Sequence, residues 1–483
     1  MSKLVDLTDL VAAIPDGVKL ALGGFQLSRV PVALLRALTG RGARDLSVLS
    51  GPNPLALDLL AATGALRAAD CGFIGLQYED GFVTAPALRR TLAAGAMRLR
   101  QRDVFDTIEE LRAAARDDAP VADFALLHAQ RADAAGNLEI DDPVLDVLLA
   151  AASGAVLATV EEVVERIARP TIPAGNVAAV AVARHGASPS ACFGHYRRDA
   201  DGVRAWLGDS APSAADPAPP GAADRDRVDA YVVNLARQVH DGETIVTGLA
   251  SAVPMLAITL AQRTHAPRAR YINCIGAVNP RIERAWATSV EPELLHDCGE
   301  RIGLADIFDR ARAGDIDGMF FGAAQVDRGG AINLERIGPQ EAPSAWLPGP
   351  AGSPSMRSWV RRVLIGVPRQ SPRNLVARVD AATSVPSRRN EETVLVTDLA
   401  LWHLRDGALV PTGLTAGTDS ARLSSATGFA VDDARPAVVA PPSDLERASL
   451  QHIDAAGLRY RLLARRLSSR SSSRETEKVL HER

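Results

Sequence analysis

Apolar residues along this 483-residue chain gather in short runs that alternate with amphipathic stretches, and the alternation occurs twice. The segment "VKLALGGFQLSRVPVALLRAL" passes from an apolar run into Gly23-Gly24, and Pro31 then opens a stretch of helical spacing. "TIVTGLASAVPMLAITLAQ" repeats the plan with Gly248 and Pro254. Farther on, "VADFALLHAQRADAAGNLEI" is answered by "DIDGMFFGAAQVDRGGAINL": an apolar run ends in Gln130 or Gln325, and a glycine-containing turn with Asp133 or Asp327 follows. Strand-length apolar runs separated by helical periodicity predict an α/β fold, a largely parallel sheet covered by helices. In the first part the strands are "VKLALGG", "DLSVLS", "ALRAADCGFIGL", "FALLHAQ" and "AVLATV", with helices over 31–39, 85–95 and 107–116. Two copies of one plan predict two similar open-sheet domains, with the chemistry in the cleft between them.

The predicted boundaries follow composition. Residues 1–207 form the first domain and 227–465 the second. Residues 208–226, rich in Pro, Ala, Ser and Asp and without apolar periodicity, read as a linker. The Ser- and Arg-rich stretch 466–483 reads as a disordered tail. Two similar halves joined by such a tether imply two subunits fused in one chain, the tether raising the effective concentration of each for the other. A net charge of −4 offers no basic footprint for nucleic acid. No apolar run approaches the roughly 20 residues that span a bilayer. The opening "MSKLVDLTDL" carries acids and no signal-peptide apolar core, so the expectation is a cytoplasmic protein. The four cysteines show no CxxC spacing, which argues against a zinc site or a disulfide framework.

Several strings, taken together and in order, resemble one family. "GGFQLSRVPVALLRAL", "LLHAQRADAAGNLEI", "ATVEEVVE", "IPAGNVAAV" and "FGHYRRDADGVRAW" resemble the α subunit of class I coenzyme A transferases of the glutaconate and 3-oxoacid type. "GAAQVDRGGAINL", "LPGPAGSPS", "NLVARVDAATSVPS", "LVTDLALWHLRDG" and "GLTAGTDSARLSSATGF" resemble the β subunit. The resemblance implies an α/β fold of two similar open-sheet CoA-transferase-like domains, with coenzyme A as substrate and no permanently bound cofactor. It implies an acyl-CoA and a small carboxylic acid as partners, in a homodimer of fused chains. The family's reaction is a two-step exchange. A β-half glutamate attacks the acyl-CoA carbonyl, and the resulting anhydride takes the CoA thiolate back, which splits one difficult step into easier ones. Backbone N–H groups at glycine turns would stabilise the oxyanions. The matching positions here are Gly23, Gly24 and Phe25, and the turn around Gly248. As a bare sequence feature, the glycine pair permits a tight turn and nothing more.

One departure stands out. The segment matching the family's glutamate reads "APRARYINCIGAVNPRIE", so the strand end is Tyr271-Ile272-Asn273-Cys274 with Gly276 in the turn. Asn273 aligns with the nucleophile, to within one residue either way, and it is no nucleophile. Three readings follow: CoA transfer with Glu79, Glu283 or Glu291 as substitute acid, thioester hydrolysis as in the ring-cleaving branch of the family, or an acyl-CoA-binding protein without catalysis. For the second, the candidates in the first half are Glu79, Asp80 and, loosely, Asp103. Cys274 reads chiefly as a small residue packed at a strand end, its thiol protonated without a basic neighbour. Ser28 and Arg29 match the α-subunit pattern, Arg29 either gripping a substrate carboxylate or bracing local structure. Gln325 ends a strand where a side chain would face the crevice. His128 reads as a hydrogen-bonded core histidine, with a cleft-facing role as the alternative.

Overall fold

Strand β1 (Lys19–Leu22) carries the first sheet, and its Leu20, Ala21 and Leu22 are all fully buried, the mark of a parallel strand covered on both faces. It pairs in parallel with β2 (Leu46–Ser50) on one side and β5 (Ala122–Asp133) on the other. With β3 (Leu66–Cys71), β4 (Arg98–Gln101), β6 (Ser153–Val164) and β7 (Val177–Val182), the order is β7-β6-β5-β1-β2-β3-β4, parallel throughout. A two-residue strand, Leu138–Glu139, folds back antiparallel on β5. This is a computed structural model, and it describes residues 2–78, 81–208, 221–431 and 436–467.

The second sheet repeats the arrangement around β8 (Thr244–Thr247). β8 pairs in parallel with β9 (Arg270–Asn273) and with β12 (Gly318–Gly322). β13 (Arg362–Val367) and β14 (Glu392–Thr397) continue the parallel run beyond β12. The antiparallel strands β15 (Ala400–Arg405) and β16 (Ala408–Leu414) extend that edge. On the far side of β9, the short β10 (Ala277–Val278) and β11 (Glu300–Arg301) pair antiparallel. β1 and β8 thus hold equivalent central places. Each is followed by a turn and a helix, α1 (Val32–Gly40) and α2 (Ala252–Arg263).

The halves are packed on each other. One buried apolar cluster runs from Ala21, Phe25 and Leu49 through Val246, Ile272 and Phe308. Across the seam, Arg112 grips Asp309 with two hydrogen bonds of 3.0 and 2.6 Å, and Asp103 accepts from the Ser355 N–H at 2.7 Å. Three predicted elements differ. The run "ALRAADCGFIGL" ends as a strand at Cys71, and Gly75–Tyr78 instead forms a hairpin with Gly81–Thr84. The helix expected over 107–116 spans Val104–Asp117, because the Asp103 carboxylate caps it by accepting from the Phe105 N–H. A helix, Ala222–Ala236, begins inside the stretch assigned to the linker. Residues 209–220 of that stretch, and the tail from residue 468 on, lie outside the described residues. No helix among the described residues is long and apolar enough to cross a membrane.

Candidate functional site

The turns after β1 and β8 both project toward the seam. The first contains two non-glycine residues in the left-handed region, Gln26 (φ 55°) and Arg29 (φ 48°), and the second one, Ala250 (φ 58°), a strained conformation that persists where its surroundings hold it. The first turn is braced from below. Gly24 (φ 81°) has no room for a Cβ, which would lie 2.6 Å from the Arg29 carbonyl. The backbone N–H groups of Gly23, Gly24, Phe25 and Gln26 are all spent internally, on the Leu126 carbonyl, Asp146, the Ser28 carbonyl and the Pro52 carbonyl. In the second turn, the N–H groups of Gly248 and Leu249 have no partner among the described residues. Donors for an oxyanion are therefore offered by the Gly248 side of the seam.

Between the turns lies an apolar cavity of about 50 Å³. Phe25, Pro52 and Val104 of the first half face Gly248, Leu249, Phe308 and Met356 of the second, and Cys274 stands among them. No carboxylate of the described residues lines it. Asn273 is the last residue of β9 and Cys274 the first of the turn that follows, and the two side chains go to different places. The fully buried Asn273 turns beneath the chain, its Oδ1 accepting from the Ala277 N–H at 2.9 Å, with Nδ2 left unpaired among the described residues. Cys274 turns into the cavity. Burial pushes its thiol up to about 12, so it is protonated at neutral pH and presents a proton, not a thiolate. Gly276 (φ 92°) closes the turn, since a Cβ there would overlap the Ile302 carbonyl.

A second, polar space lies against the same walls. Gln26, Leu27, Gln77 and Arg198 of the first half and Thr288, Val290, Glu291 and Pro292 of the second enclose about 10 Å³. Ser289, in the same loop, donates to the Gly248 carbonyl at 3.0 Å and thereby ties this loop to the glycine turn. Glu291 is buried and lies 3.4 Å from an Arg198 nitrogen. Burial raises its carboxyl to about 7, Arg198 opposing and Glu293 adding to the shift.

The remaining candidates occupy other places. Arg29 is fully buried and spends all five donors, on the Asp142 and Asp146 carboxylates and on the His128 and Asp142 carbonyls, leaving none for a substrate. Ser28 donates to Asp142 at 3.1 Å. Gln325 pairs with Asn333 and Asp380 and lines neither space. Asp103 serves as a helix cap and seam contact. Glu283 is exposed beside Arg281. Glu79 and Asp80 lie outside the described residues. His128 is buried in β5, its ring nitrogens bonded to Thr159 and Glu161. His128, Glu161 and Cys192 are close enough to share an ion, yet the first two are already joined by hydrogen bonds within the first half. Sequence reasoning did not single out the Gln26 amide. Its signal, a polar residue directly after Gly-Gly-Phe, is too common to identify it.

A family model described as "Coenzyme A transferase" matches residues 5–115. One subunit of a 3-oxoadipate CoA-transferase from Pseudomonas knackmussii is 27% identical over 239 residues, 46% of this chain and 91% of that subunit. A solved structure of the decarboxylase AibA/AibB is 36% identical over 49% of this chain and 98% of that one, with a TM-score of 0.47. An acyl-CoA transferase from Escherichia coli O157:H7, in a thioester complex with CoA, covers 91% of this chain and 96% of its own with a TM-score of 0.70. At 14% identity that last likeness speaks to the fold.

Proposed function

The chain belongs to the coenzyme A transferase family, and from that premise we propose that its fused halves enclose one site for an acyl-CoA, which reacts there without a glutamyl intermediate. One observation carries the reading: Cys274, protonated and set in an apolar cavity without a carboxylate, stands at the strand end beside the aligned Asn273. The fusion is supported by the lengths. A subunit-sized relative accounts for about half the chain, and a single-chain relative for nearly all of it. Coenzyme A is then substrate and not a resident cofactor, and the working form is a homodimer of fused chains in the cytoplasm.

Such a pocket suits chemistry that needs neither a nucleophile nor water. A substrate carboxylate placed against Phe25, Leu249 and Phe308 loses its hydration, which favours its departure as CO2. As that C–C bond breaks, its electron pair moves into the thioester as an enolate, whose oxygen faces the open N–H groups of Gly248 and Leu249. The Cys274 S–H then delivers its proton to carbon, and solvent restores the thiol. The proposed reaction is decarboxylation of an acyl-CoA whose carboxylate is β to, or conjugated with, the thioester carbonyl. CoA transfer to a carboxylic acid is the second reading, favoured by the family and by the buried Glu291 carboxyl in the polar space at the seam. The test incubates the full chain with carboxylated and plain acyl-CoAs, with and without acetate, and follows CO2 and CoA thioesters. CO2 released from the carboxylated thioesters alone, and lost in Cys274→Val, supports decarboxylation. New thioesters that appear only with acetate establish transfer instead.

A further inference from the structure

The polar space beside the apolar cavity contains a feature that the fold alone does not explain. Gln26 is 1% exposed, and neither its amide oxygen nor its amide nitrogen has a partner among the described residues. A buried amide left unpaired on both sides is strongly unfavourable. The side chain is nevertheless held there by the strained backbone of the first turn. The space it lines, about 10 Å³, is the room one water needs, given two or more polar partners. Gln26 supplies a donor and an acceptor, and Glu291, across the seam, supplies a carboxyl. The neighbouring polar groups are largely committed: Thr288 Oγ1 donates to Gln77 Oε1 at 2.6 Å, and Gln77 Nε2 to the Ala287 carbonyl at 3.3 Å.

We infer that Gln26 and Glu291 hold one water at the seam, and that Glu291 is the base that activates it toward a thioester lying along the shared wall, giving the protein an acyl-CoA hydrolase activity. The inference rests on the acyl-CoA reading above. The wall is shared because Phe25, next to Gln26, lines the apolar cavity, and because Ser289 joins the Glu291 loop to Gly248. In the reaction the water oxygen forms a bond to the thioester carbonyl carbon while its proton passes to the Glu291 carboxylate. The C–S bond then breaks, and the departing CoA thiolate takes that proton, so a carboxylic acid and free CoA leave with no other reactant.

The charged groups facing Glu291 are Arg198 and Arg197 from the 193–199 loop and Glu293 from its own loop. Arg197 is paired with Glu293 at 2.9 Å, and Glu293 also hydrogen-bonds Glu291. Burial, with the Glu293 charge adding to it and Arg198 opposing, places the switch between acid and base near neutrality, at about 7 for Glu291. Hydrolysis therefore rises with pH through that value.

The test uses the full chain with acetyl-CoA and butyryl-CoA and no acceptor. A thiol reagent reads free CoA from pH 5.5 to 9, and thermal unfolding with the same thioesters reads binding. Expected are CoA release above the enzyme-free blank and a rise in rate through about pH 7. Glu291→Gln should lose at least tenfold in rate and all of that pH dependence, with thioester stabilisation retained. Gln26→Asn, which tolerates the left-handed backbone but shortens the reach, should lose rate as well, and it carries the test if Glu291→Gln fails to fold. Glu283→Gln, on the surface, should match the wild type. Binding without CoA release, or an unaltered rate in either seam variant, overturns the inference. If neither thioester stabilises the protein, the acyl-CoA reading falls, and the inference with it.

Discussion

The brace beneath the first glycine turn can be tested by removing one charge, with Asp146→Asn. Asp146 and Arg29 are each 1% exposed, and the carboxylate accepts from Arg29 Nη1 at 3.1 Å, Arg29 Nη2 at 2.8 Å, the Gly24 N–H at 3.3 Å and the Val144 N–H at 3.2 Å. Burial alone would push this carboxyl up, but Arg29 prevails and holds it below its ordinary value, so the negative charge balances the guanidinium. Asparagine keeps the shape and the Oδ1 acceptor but turns an NH2 toward two donors, Arg29 Nη2 and the Val144 N–H. Breaking a buried pair from one side costs ~3–5 kcal/mol. Asp142, 2.5 Å from Arg29 Nε, remains as partial compensation, so the lower end, ~3 kcal/mol, is expected. For a unit of this size that is a fall in Tm of ~6–12 °C, read by calorimetry. Phe25 and Gln26 ride on this turn, so acyl-CoA stabilisation should weaken in the same variant. Arg29→Met combined with Asp146→Asn should cost less than the two single changes summed, by ~1 kcal/mol or more, because each single change leaves a charge behind. A Tm within ~2 °C of wild type, or strict additivity, would refute the idea that paired buried charge holds the turn.

Other outcomes follow from individual contacts. Gly276→Ala should destabilise the second half by more than ~2 kcal/mol, since a positive φ alone costs ~1–2 kcal/mol and the added Cβ would overlap the Ile302 carbonyl. Gly314→Ala, at φ 93° with nothing within 4 Å among the described residues, should cost only the conformational part, and equal losses in urea titrations would contradict the steric argument. Acid should weaken both halves. Glu161, pushed up by burial but brought down to about 2 by His128, Tyr196 and the His185 N–H, and Glu446, likewise at about 2 beside Arg237 and Ser443, contribute stability above their unfolded value of 4.5 that is lost as pH falls toward 2. A Tm that stays flat from pH 5 to 3 would count against this, and Glu161→Gln should remove part of the slope. Iodoacetamide at pH 8 should label the partly exposed Cys298 before the buried Cys71, Cys192 and Cys274, as peptide mass spectrometry would show, and rapid labelling of Cys274 would mean that its thiol is more accessible and more acidic than its burial implies.

The doubled plan was legible because it is written in periodicity. Apolar runs of strand length, each closed by a glycine turn and followed by helical spacing, place β1 and β8 in equivalent central positions. What periodicity cannot report is which polar side chains serve the interior. Arg29 and Gln325 sit where strand ends and turns would offer them to a ligand, yet partners distant in sequence, Asp142 and Asp146 for one and Asp380 for the other, claim them. The buried seam acid is equally silent in sequence. Glu291 and Glu283 read alike as loop carboxylates, and only the packing of the Gln26 turn against one of them distinguishes the two.

The register at the end of β9 shows the limit most sharply. A one-residue uncertainty in alignment is small along the chain, but in a strand it exchanges faces. It therefore decides between an amide folded under a turn and a thiol in the cavity. Asn273→Glu would put its carboxyl against the Ala277 N–H and outside the apolar space, whereas Cys274→Glu puts a carboxyl where the acyl group is proposed to lie. If the absence of that carboxylate is what separates this chain from CoA transfer, only the second substitution should raise transfer from acyl-CoA to acetate. A gain from Asn273→Glu instead would place the reacting carbonyl on the other face of β9, and Cys274 would then lose its proposed role.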